Sequence, residues 1–265
     1  MGRTMERRGA RPRESLEIAL GPHAVEALLR RRPADVRRLV LAEPMARGER
    51  GRHLLALAEA AGVPVELAPR RRLDELALGE RHQGVLARHR PSRPWNEGRL
   101  PLLLEALEEP PLLLVLDGVQ DPRNLGACLR SAEAAGAHAV VAPRDRAAGL
   151  TPAARKAAAG AAELLPLVQV TNLARCLRAL QEQGLWLVGL EAGAPRTLYE
   201  TDLTGPLALV LGGEGRGLRR LTRERCDLLA ALPLRGAVAS LNVSVAAGIA
   251  LYEALRQRGG GRGRP

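Results

Sequence analysis

The sequence contains no phenylalanine, and only two tryptophans and two tyrosines among its 265 residues. Proteins that bind single-stranded nucleic acid without regard to its sequence commonly stack the bases on exposed aromatic rings. With so few aromatic side chains, the protein can hardly hold bases by stacking. If it binds RNA, it has to do so through charge, shape and backbone contacts.

Cysteine is also scarce. Cys128, Cys176 and Cys226 are odd in number and widely spaced, with no C-x-x-C pair and no histidine cluster near them. A disulfide framework or a zinc site needs paired, closely spaced ligands, so we expect neither disulfides nor metal. No run approaches 18 apolar residues, and the charged first 15 residues lack the apolar core of a signal peptide. These features predict a cytoplasmic protein without membrane contact.

Lysine is nearly absent, since Lys156 is the only one among 40 basic residues. A GC-rich genome explains the preference for arginine but not the formal net charge of +11. Residues 1–100 carry 21 basic and 13 acidic groups, a net +8, whereas the remaining 165 carry 19 and 16, a net +3. This imbalance favours nucleic acid as the partner, bound by an N-terminal module that precedes a reaction domain.

Short apolar strands alternate with helices along most of the chain, a pattern typical of α/β folds with mostly parallel strand pairing. Strands are predicted at residues 16–20, 36–41, 63–67, 84–87, 112–117, 139–142, 164–168, 185–190, 207–212 and 228–232. The main helices are predicted at residues 21–31, 53–61 and 242–258, with short ones after Arg72 and at 102–107. The predicted divisions are a disordered basic leader (1–14), an RNA-binding α/β unit (15–90), a linker (91–107), the main α/β domain (108–258) and a disordered tail (259–265).

The first segment that carries chemistry is DGVQDPRNLGACLR, residues 117–130, which follows a predicted strand and opens a helix. Asn124 is predicted to cap this helix, and Gly126 allows a ligand or another backbone to come close. A well-capped helix with a solvated Arg130 explains these residues equally well. The segment alone therefore leaves the question of a site open.

The second segment is LALVLGGEGRGL, residues 207–218, a buried strand that runs into a glycine-rich turn. Open α/β sheets bind ligands at this end of a strand. The glycine spacing matches neither the dinucleotide fingerprint nor the ATP phosphate loop. Glu214, among the glycines, would repel phosphate and suits a ligand with positive charge or hydroxyls, unless it is incidental to a flexible turn.

The third segment is LPLRGAVASLNVSV, residues 232–245, which leads into an alanine-rich helix. Ser240 and Asn242 are both good N-cap residues, and one of them is spare. The apolar pieces at 232–234 and at Leu241 suit the wall of an adenine pocket. A plain helix cap is the alternative explanation.

Together and in this order, the three segments resemble the motifs of the SpoU (TrmH-type) RNA 2′-O-ribose methyltransferases of the SPOUT superfamily. The similarity extends over about residues 16–258, through GPHAV, RHQGVLAR and SLNVSVAAGIALYEALRQR. It is strongest to the bacterial members that methylate a guanosine ribose in the P-site loop of 23S rRNA. This resemblance implies a C-terminal α/β sheet with a deep trefoil knot and a small N-terminal α/β RNA-binding domain like those of ribosomal proteins. It also implies S-adenosyl-methionine as methyl donor, 23S rRNA as partner and a homodimer.

The same resemblance implies the site residues. The methyl donor would contact Gly212, Leu232 and Leu241, with Leu190 and Leu234 beside them. The reaction would depend on Arg130, supported by Asn124, Glu214, Ser240 and Asn242. RNA phosphates would contact Arg70, Arg71, Arg72, Arg81, His82 and Gln83.

Elementary chemistry limits what Arg130 does, because a guanidinium is always protonated in proteins and is a poor base. We therefore expect Arg130 to stabilise the forming alkoxide and to anchor the adjacent phosphate. The proton would leave through water or Glu214. A tRNA ribose methyltransferase, a non-catalytic rRNA-binding factor with the same fold, and an enzyme that uses the glycine-rich turn as a phosphate loop are the alternatives.

Overall fold

A computed structural model describes residues 16–90 and 95–259. The expected leader at 1–14 and the tail beyond residue 259 lie outside this range. The described chain forms two compact units, one before and one after residues 91–94.

The N-terminal unit is a four-stranded sheet with helices, in the strand order β1-β4-β2-β3. Its elements are β1 (Glu17–Leu20), α1 (Pro22–Arg31), β2 (Val36–Ala42), α2 (Glu43–Arg47), α3 (Glu49–Ala60), β3 (Val65–Ala68), α4 (Arg70–Leu76) and β4 (Val85–His89). The expectation of mostly parallel pairing is wrong for this unit. β4 runs antiparallel to both of its neighbours, with Ala87 opposite Ala19 and Leu39. The alternation rule applies to adjacent strands joined by a helix, and β4 does not lie beside β3 but enters between β1 and β2.

The C-terminal unit is an α/β fold around an eight-stranded sheet, in the order β10-β12-β9-β11-β6-β7-β8-β5, with every pairing parallel. Its elements are β5 (Trp95–Asn96), α5 (Leu100–Glu105), β6 (Leu112–Asp117), α6 (Pro122–Ala134), β7 (Ala139–Pro143), α7 (Pro152–Ala158), α8 (Ala161–Leu164), β8 (Leu167–Val170), α9 (Leu173–Glu182), β9 (Trp186–Leu190), β10 (Arg196–Thr197), β11 (Leu207–Gly212), α10 (Arg220–Arg223), β12 (Leu228–Ala231) and α11 (Val243–Gln257). The trefoil knot implied by the resemblance stays a prediction.

Both faces of this sheet are covered, which explains the near-continuous apolar strands. Every residue of β6 is buried, and its side chains alternate between two cores. Leu114 packs in the core that α6 and α11 cover, whereas Val115 packs in the core that α9 covers. A strand buried on both faces keeps its apolar character at every position.

Several sequence-based boundaries differ from the structure by two residues or more, and two of them change the eight-stranded sheet. Residues 95–105, assigned to the linker, form β5, a 3-10 turn and α5, and β5 pairs with β8 in the sheet. The strand predicted at 164–168 begins only at Leu167, because Leu164 still belongs to α8. A short apolar run looks the same in a buried helix and in a buried strand, so periodicity could not separate the two.

Arg258, just after α11, donates hydrogen bonds to the segments that precede two strands of the sheet. Its Nε donates to the carbonyl of Leu203 at 3.0 Å, and its Nη atoms donate to Pro110, Pro111 and Gly205 at 2.9, 3.1 and 2.5 Å. Burial lowers the pKa of Arg258. These carbonyls belong to the segments that lead into β6 and β11.

Replacing Arg258 by alanine should lower the free energy of unfolding by about 2–4 kcal/mol, because several charge-assisted hydrogen bonds are lost together. Arg258→Lys should recover only part of this loss, since one ammonium cannot reach four carbonyls in the planar arrangement of a guanidinium. Urea denaturation measures the change. Arg178→Ala is the control, because its pair with Glu182 is exposed and contributes about 0.5 kcal/mol or less. Equal losses in the two alanine variants would contradict the prediction.

Candidate active site

The carboxyl ends of β12, β9, β11 and β6 lie side by side, because these four neighbouring strands are parallel. A cavity of about 560 Å³ lies at this edge, bounded by the loops after β9, β11 and β12 and by the start of α11. Its size is that of a site for a small molecule or cofactor. All five residues implied for the methyl donor line it: Leu190, Gly212, Leu232, Leu234 and Leu241.

The glycine-rich turn after β11 is folded tightly on itself. A Cβ atom at Gly212 would lie 2.0 Å from the carbonyl carbon of Gly217, and Gly217 N donates to Gly213 O at 3.2 Å. Gly215 and Gly217 have φ angles of +75° and +64°, which side chains rarely adopt. Glycine is therefore needed here for backbone geometry, and the turn presents main-chain groups to the cavity.

Three residues from the three sequence segments form one hydrogen-bonded chain. Asn124 Nδ2 donates to Glu214 Oε1 at 2.7 Å, and Asn242 Nδ2 donates to Asn124 Oδ1 at 3.1 Å. Asn242 Oδ1 in turn accepts from the backbone N and the hydroxyl of Ser244, at 2.9 and 2.6 Å. Glu214, Ser240 and Asn242 line the cavity, so this polar chain borders the apolar pocket.

The structure corrects the predicted cap of α6. Asp121, not Asn124, is the N-cap, and its Oδ1 accepts from Arg123 N at 2.8 Å. Pro122 takes the first helical position, which proline favours, and this places the cap one residue before it. Asn124 therefore lies in the first turn, where its side chain is available to Glu214. Asn242 caps α11, so Ser240 is the spare residue.

Arg130 is the one implied reaction residue that does not join this group. It is exposed on α6, about 9 Å along the helix axis from Asn124, and it does not line the cavity. Within residues 16–90 and 95–259 its guanidinium makes neither a hydrogen bond nor an ion pair. One copy of the chain therefore brings together the cavity and the polar chain, with Arg130 outside them.

Asp117, the last residue of β6, is a functional candidate to which the sequence analysis assigned no role. Its side chain is completely buried, and its Oδ2 accepts from Arg219 N at 2.8 Å. Arg219 Nη1 lies 3.5 Å from Asp117 Oδ1. A buried carboxylate is unfavourable without such partners. The available signal was an aspartate that ends an otherwise apolar strand and begins the first segment.

The cysteines are poorly suited to nucleophilic or metal chemistry. Burial, with Glu214 nearby, raises the pKa of Cys128 to about 12, and burial likewise raises that of Cys176 to about 11. Burial and neighbouring carboxylates raise the pKa of Cys226 to about 12. In the part of the chain that the structure describes, no group of three histidine, cysteine or acidic residues is arranged to hold a metal ion.

None of the described helices combines the length and the apolar character needed to cross a bilayer.

In the N-terminal unit, the residues implied for RNA contact divide into exposed and buried ones. Arg70, Arg71, Arg72, Arg81 and Gln83 are exposed. His82 is only 3% exposed, lies with Nε2 2.8 Å from Asp74 Oδ1, and accepts from Gly84 N at 3.1 Å. This burial does not fit the expected phosphate contact, so His82 supports the turn before β4 instead. Burial of this kind depends on tertiary packing, which the motif alone does not reveal.

Two family profiles match the chain, one in each unit. The SpoU rRNA methylase family matches residues 111–252, and the family described as RNA 2′-O ribose methyltransferase substrate binding matches residues 18–95. The first match includes all three sequence segments, of which the second and the third line the cavity. The second covers the small sheet and its exposed arginines.

Individual relatives agree with the profiles. The chain is 56% identical to the 23S rRNA (guanosine-2′-O-)-methyltransferase RlmB of Pseudomonas putida, over 92% of this chain and 97% of that protein. It is 52% identical to the protein of the same name from Escherichia coli, over 91% and 99% of the two chains. Among solved structures, the SpoU methyltransferase AviRb from Streptomyces viridochromogenes in complex with the cofactor AdoMet is similar with a TM-score of 0.73 and 25% identity, over 97% and 96% of the two chains. From its profile match, its relatives and the geometry of its cavity, the chain belongs to the SpoU rRNA methylase family.

Proposed function

We propose that the protein transfers a methyl group from S-adenosyl-methionine to the ribose 2′-oxygen of a guanosine in the P-site loop of 23S rRNA, in the cytoplasm. The observation that carries this proposal is the hydrogen-bonded chain of Asn124, Glu214 and Asn242 beside the cavity. It unites the three family segments at one place. The relatives that bear the name of this activity are similar over almost the whole of both chains, substrate-binding unit included.

The cavity fits this methyl donor. Its leucines suit an adenine ring, the backbone of the glycine turn offers donors and acceptors, and Glu214 supplies a negative charge. When bound, S-adenosyl-methionine supplies a methyl group on a cationic sulfonium, which needs little activation to leave. A carboxylate at the rim suits that cation and disfavours the phosphates of ATP or NAD.

The acceptor needs more activation than the donor, because a neutral ribose hydroxyl is a weak nucleophile. The protein has to hold the 2′-oxygen in line with the methyl group and assist the loss of its proton. Glu214, oriented by Asn124, is placed to accept that proton directly or through water. Arg130 stabilises the developing alkoxide and anchors a neighbouring phosphate with a charge that is always present.

The exposed position of Arg130 supports a homodimer. On α11, Val245 and Tyr252 are 50% and 52% exposed, and they lie seven residues apart on one face. α11 packs against α6, which carries Arg130. A second copy that covers this face would bring Arg130 near the partner's cavity and complete the site.

Sedimentation velocity on the full chain tests the dimer. We expect a single species of twice the 28.4 kDa chain mass at micromolar concentration. A monomer that still transfers methyl groups would show that Arg130 reaches the cavity of its own chain.

In the N-terminal unit, we infer that the exposed Arg70–Arg72 and Arg81 bind rRNA phosphates. Arg71 and Arg72 share the carboxylate of Glu75, at 3.6 and 3.4 Å, in pairs that are exposed to solvent. Such pairs are weak and exchange readily for a phosphate. The small number of aromatic residues makes these charges the main means of holding RNA.

Mapping of 2′-O-methyl groups in RNA from cells that lack the protein tests the function. One guanosine in the P-site loop of 23S rRNA should lose its methyl group, while tRNA positions stay unchanged. The purified protein with labelled S-adenosyl-methionine should restore the mark on that rRNA. Loss of a tRNA methyl group instead would establish the tRNA alternative. Donor and RNA binding without methyl transfer would favour a non-catalytic rRNA-binding factor.

A further inference from the structure

Beside the cavity, two arginines that the mechanism does not use lie at the same edge of the sheet. We propose that Arg146 and Arg219 form a binding site for a backbone phosphate of the RNA substrate. The inference rests on the proposed function only in requiring that the substrate be RNA. It concerns a different place from the N-terminal arginines and a different group from Arg130.

The fold brings these two arginines together. β7, β6 and β11 are parallel neighbours, so the loops that follow them share one edge of the sheet. Arg219 Nη2 donates to the carbonyl of Arg146 at 3.5 Å, and Ala148 N donates to Val119 O at 2.8 Å. Arg219 directly follows Leu218, which lines the cavity. The pair therefore lies at the rim of the donor pocket.

Asp117 fixes the orientation of Arg219. Its buried carboxylate accepts a hydrogen bond from the backbone N of Arg219 and forms an ion pair with the guanidinium at 3.5 Å. A Cβ atom at Gly118 would come within 2.6 Å of Arg219 Nη2. One side of the guanidinium thus lies against the end of β6, while the side chain as a whole is still 47% exposed. A buried carboxylate is strongly unfavourable without its cationic partner, so Asp117 keeps this arginine in place. A ligand meets an arginine that is already oriented.

Arg146 has a backbone conformation that its residue type does not explain. Its φ angle is +56°, in the left-handed region that glycine adopts without strain and other residues rarely adopt. Such strain is concentrated at functional sites, where the side chain is needed. Arg146 is exposed, and within the described ranges its guanidinium has no acidic partner. Its neighbour Arg144 differs, because Arg144 Nε lies 3.5 Å from Asp145 Oδ1.

The oriented guanidinium of Arg219 contacts the backbone of Arg146, whose own exposed side chain has no acidic partner in the described ranges. Two arginines that share one edge in this way suit the two non-bridging oxygens of a backbone phosphate. A position at the rim suits a phosphate of the strand that delivers the target ribose to the cavity. Because such a contact does not read bases, it should act on any RNA sequence.

The test compares Arg146→Gln with Arg144→Gln in the full-length protein. Each substitution removes one positive charge from the same loop. Binding is measured with a 23S rRNA fragment and with an unrelated RNA of equal length, between 50 and 200 mM salt. We expect Arg146→Gln to weaken binding of both RNAs about 3- to 10-fold and to reduce the slope of log affinity against log salt by about 1. Arg144→Gln should weaken it less than about 2-fold, since Arg144 and the adjacent Asp145 together carry no net charge to attract a phosphate, and S-adenosyl-methionine affinity should be unchanged in both.

Two further variants separate binding from folding. Arg146→Gly removes the side chain together with its strain, so RNA affinity should fall while the melting temperature does not. Arg219→Gln should reproduce the change in salt slope, and Arg146→Gly keeps the test decisive if Arg219→Gln, which leaves the buried Asp117 without its ion-pair partner, fails to fold. Wild-type affinity and slope in Arg146→Gln would overturn the inference, and so would an equal loss in Arg144→Gln. Failure of the wild-type protein to methylate rRNA would overturn the proposed function instead, and the comparison of binding would still decide the phosphate site.

Discussion

Gly212→Ala should weaken S-adenosyl-methionine binding by about 10- to 100-fold, the equivalent of roughly 1–3 kcal/mol of overpacking. The added methyl group would lie 2.0 Å from the carbonyl carbon and 2.3 Å from the carbonyl oxygen of Gly217. Both obstacles are backbone atoms, so no side-chain rotation relieves the clash and the turn has to open. Because residues 212–218 line the cavity, that opening deforms the donor pocket. Isothermal titration calorimetry measures the change in affinity.

Gly205→Ala is the matched control for this prediction. Gly205 precedes the same strand, its φ angle lies outside the left-handed region, and a Cβ atom there would meet nothing within 4 Å. Its donor affinity should equal that of the wild-type protein. If Gly212→Ala also bound the donor normally, the glycine turn would not form part of the donor site.

Arg130→Ala should reduce methyl transfer by about 10²- to 10³-fold, the usual cost of removing one group that stabilises an oxyanion. Donor affinity should stay unchanged, because Arg130 does not line the cavity. Arg130→Lys keeps the charge but loses the two-pronged geometry, so it should recover only a small part of the rate. Single-turnover transfer to the rRNA fragment, together with calorimetry for the donor, measures the two effects separately.

A lysine variant with nearly full activity would contradict the two-pronged contact and leave only the charge of Arg130 as important. The accompanying role of Glu214 has its own readout. If this carboxylate takes the ribose proton, Glu214→Gln should reduce the rate of methyl transfer by about 10²- to 10⁴-fold, because an amide does not accept a proton in its place. A glutamine variant with the wild-type rate would exclude Glu214 as the proton acceptor.

The sequence allowed the central strands to be predicted but not all of their partners. β6 and β11 have the predicted bounds, because each is a short apolar run that ends at a polar residue or at glycines. The direction of β4 could not be predicted, since it depends on which strands it enters between. β8 was misplaced because Leu164 and Leu165 suit a buried helix as well as a strand.

The site followed the same division. The residues of the pocket wall were predicted through the resemblance, and the structure brings them together around one cavity. The contacts among polar residues were not predicted, because Asn124 and Glu214 are 90 positions apart and Asp117 and Arg219 are 102 apart. Local propensity assigned Asn124 to a helix cap, and only the packed structure shows that its side chain donates a hydrogen bond to Glu214.

The chain of amides that ends at Glu214 has a fixed direction. An ionised carboxylate only accepts hydrogen bonds and the backbone N–H of Ser244 only donates, so both ends require Asn124 and Asn242 to turn their nitrogens toward Glu214. Oε1 then accepts from Asn124 Nδ2 at 2.7 Å, whereas Oε2 accepts, among the described residues, only from the distant Gln120 N at 3.4 Å. The two oxygens of one carboxylate are thereby made unequal. We expect a proton from the ribose to bind Oε2. The amides of Asn124 and Asn242 can then keep their orientation through the reaction.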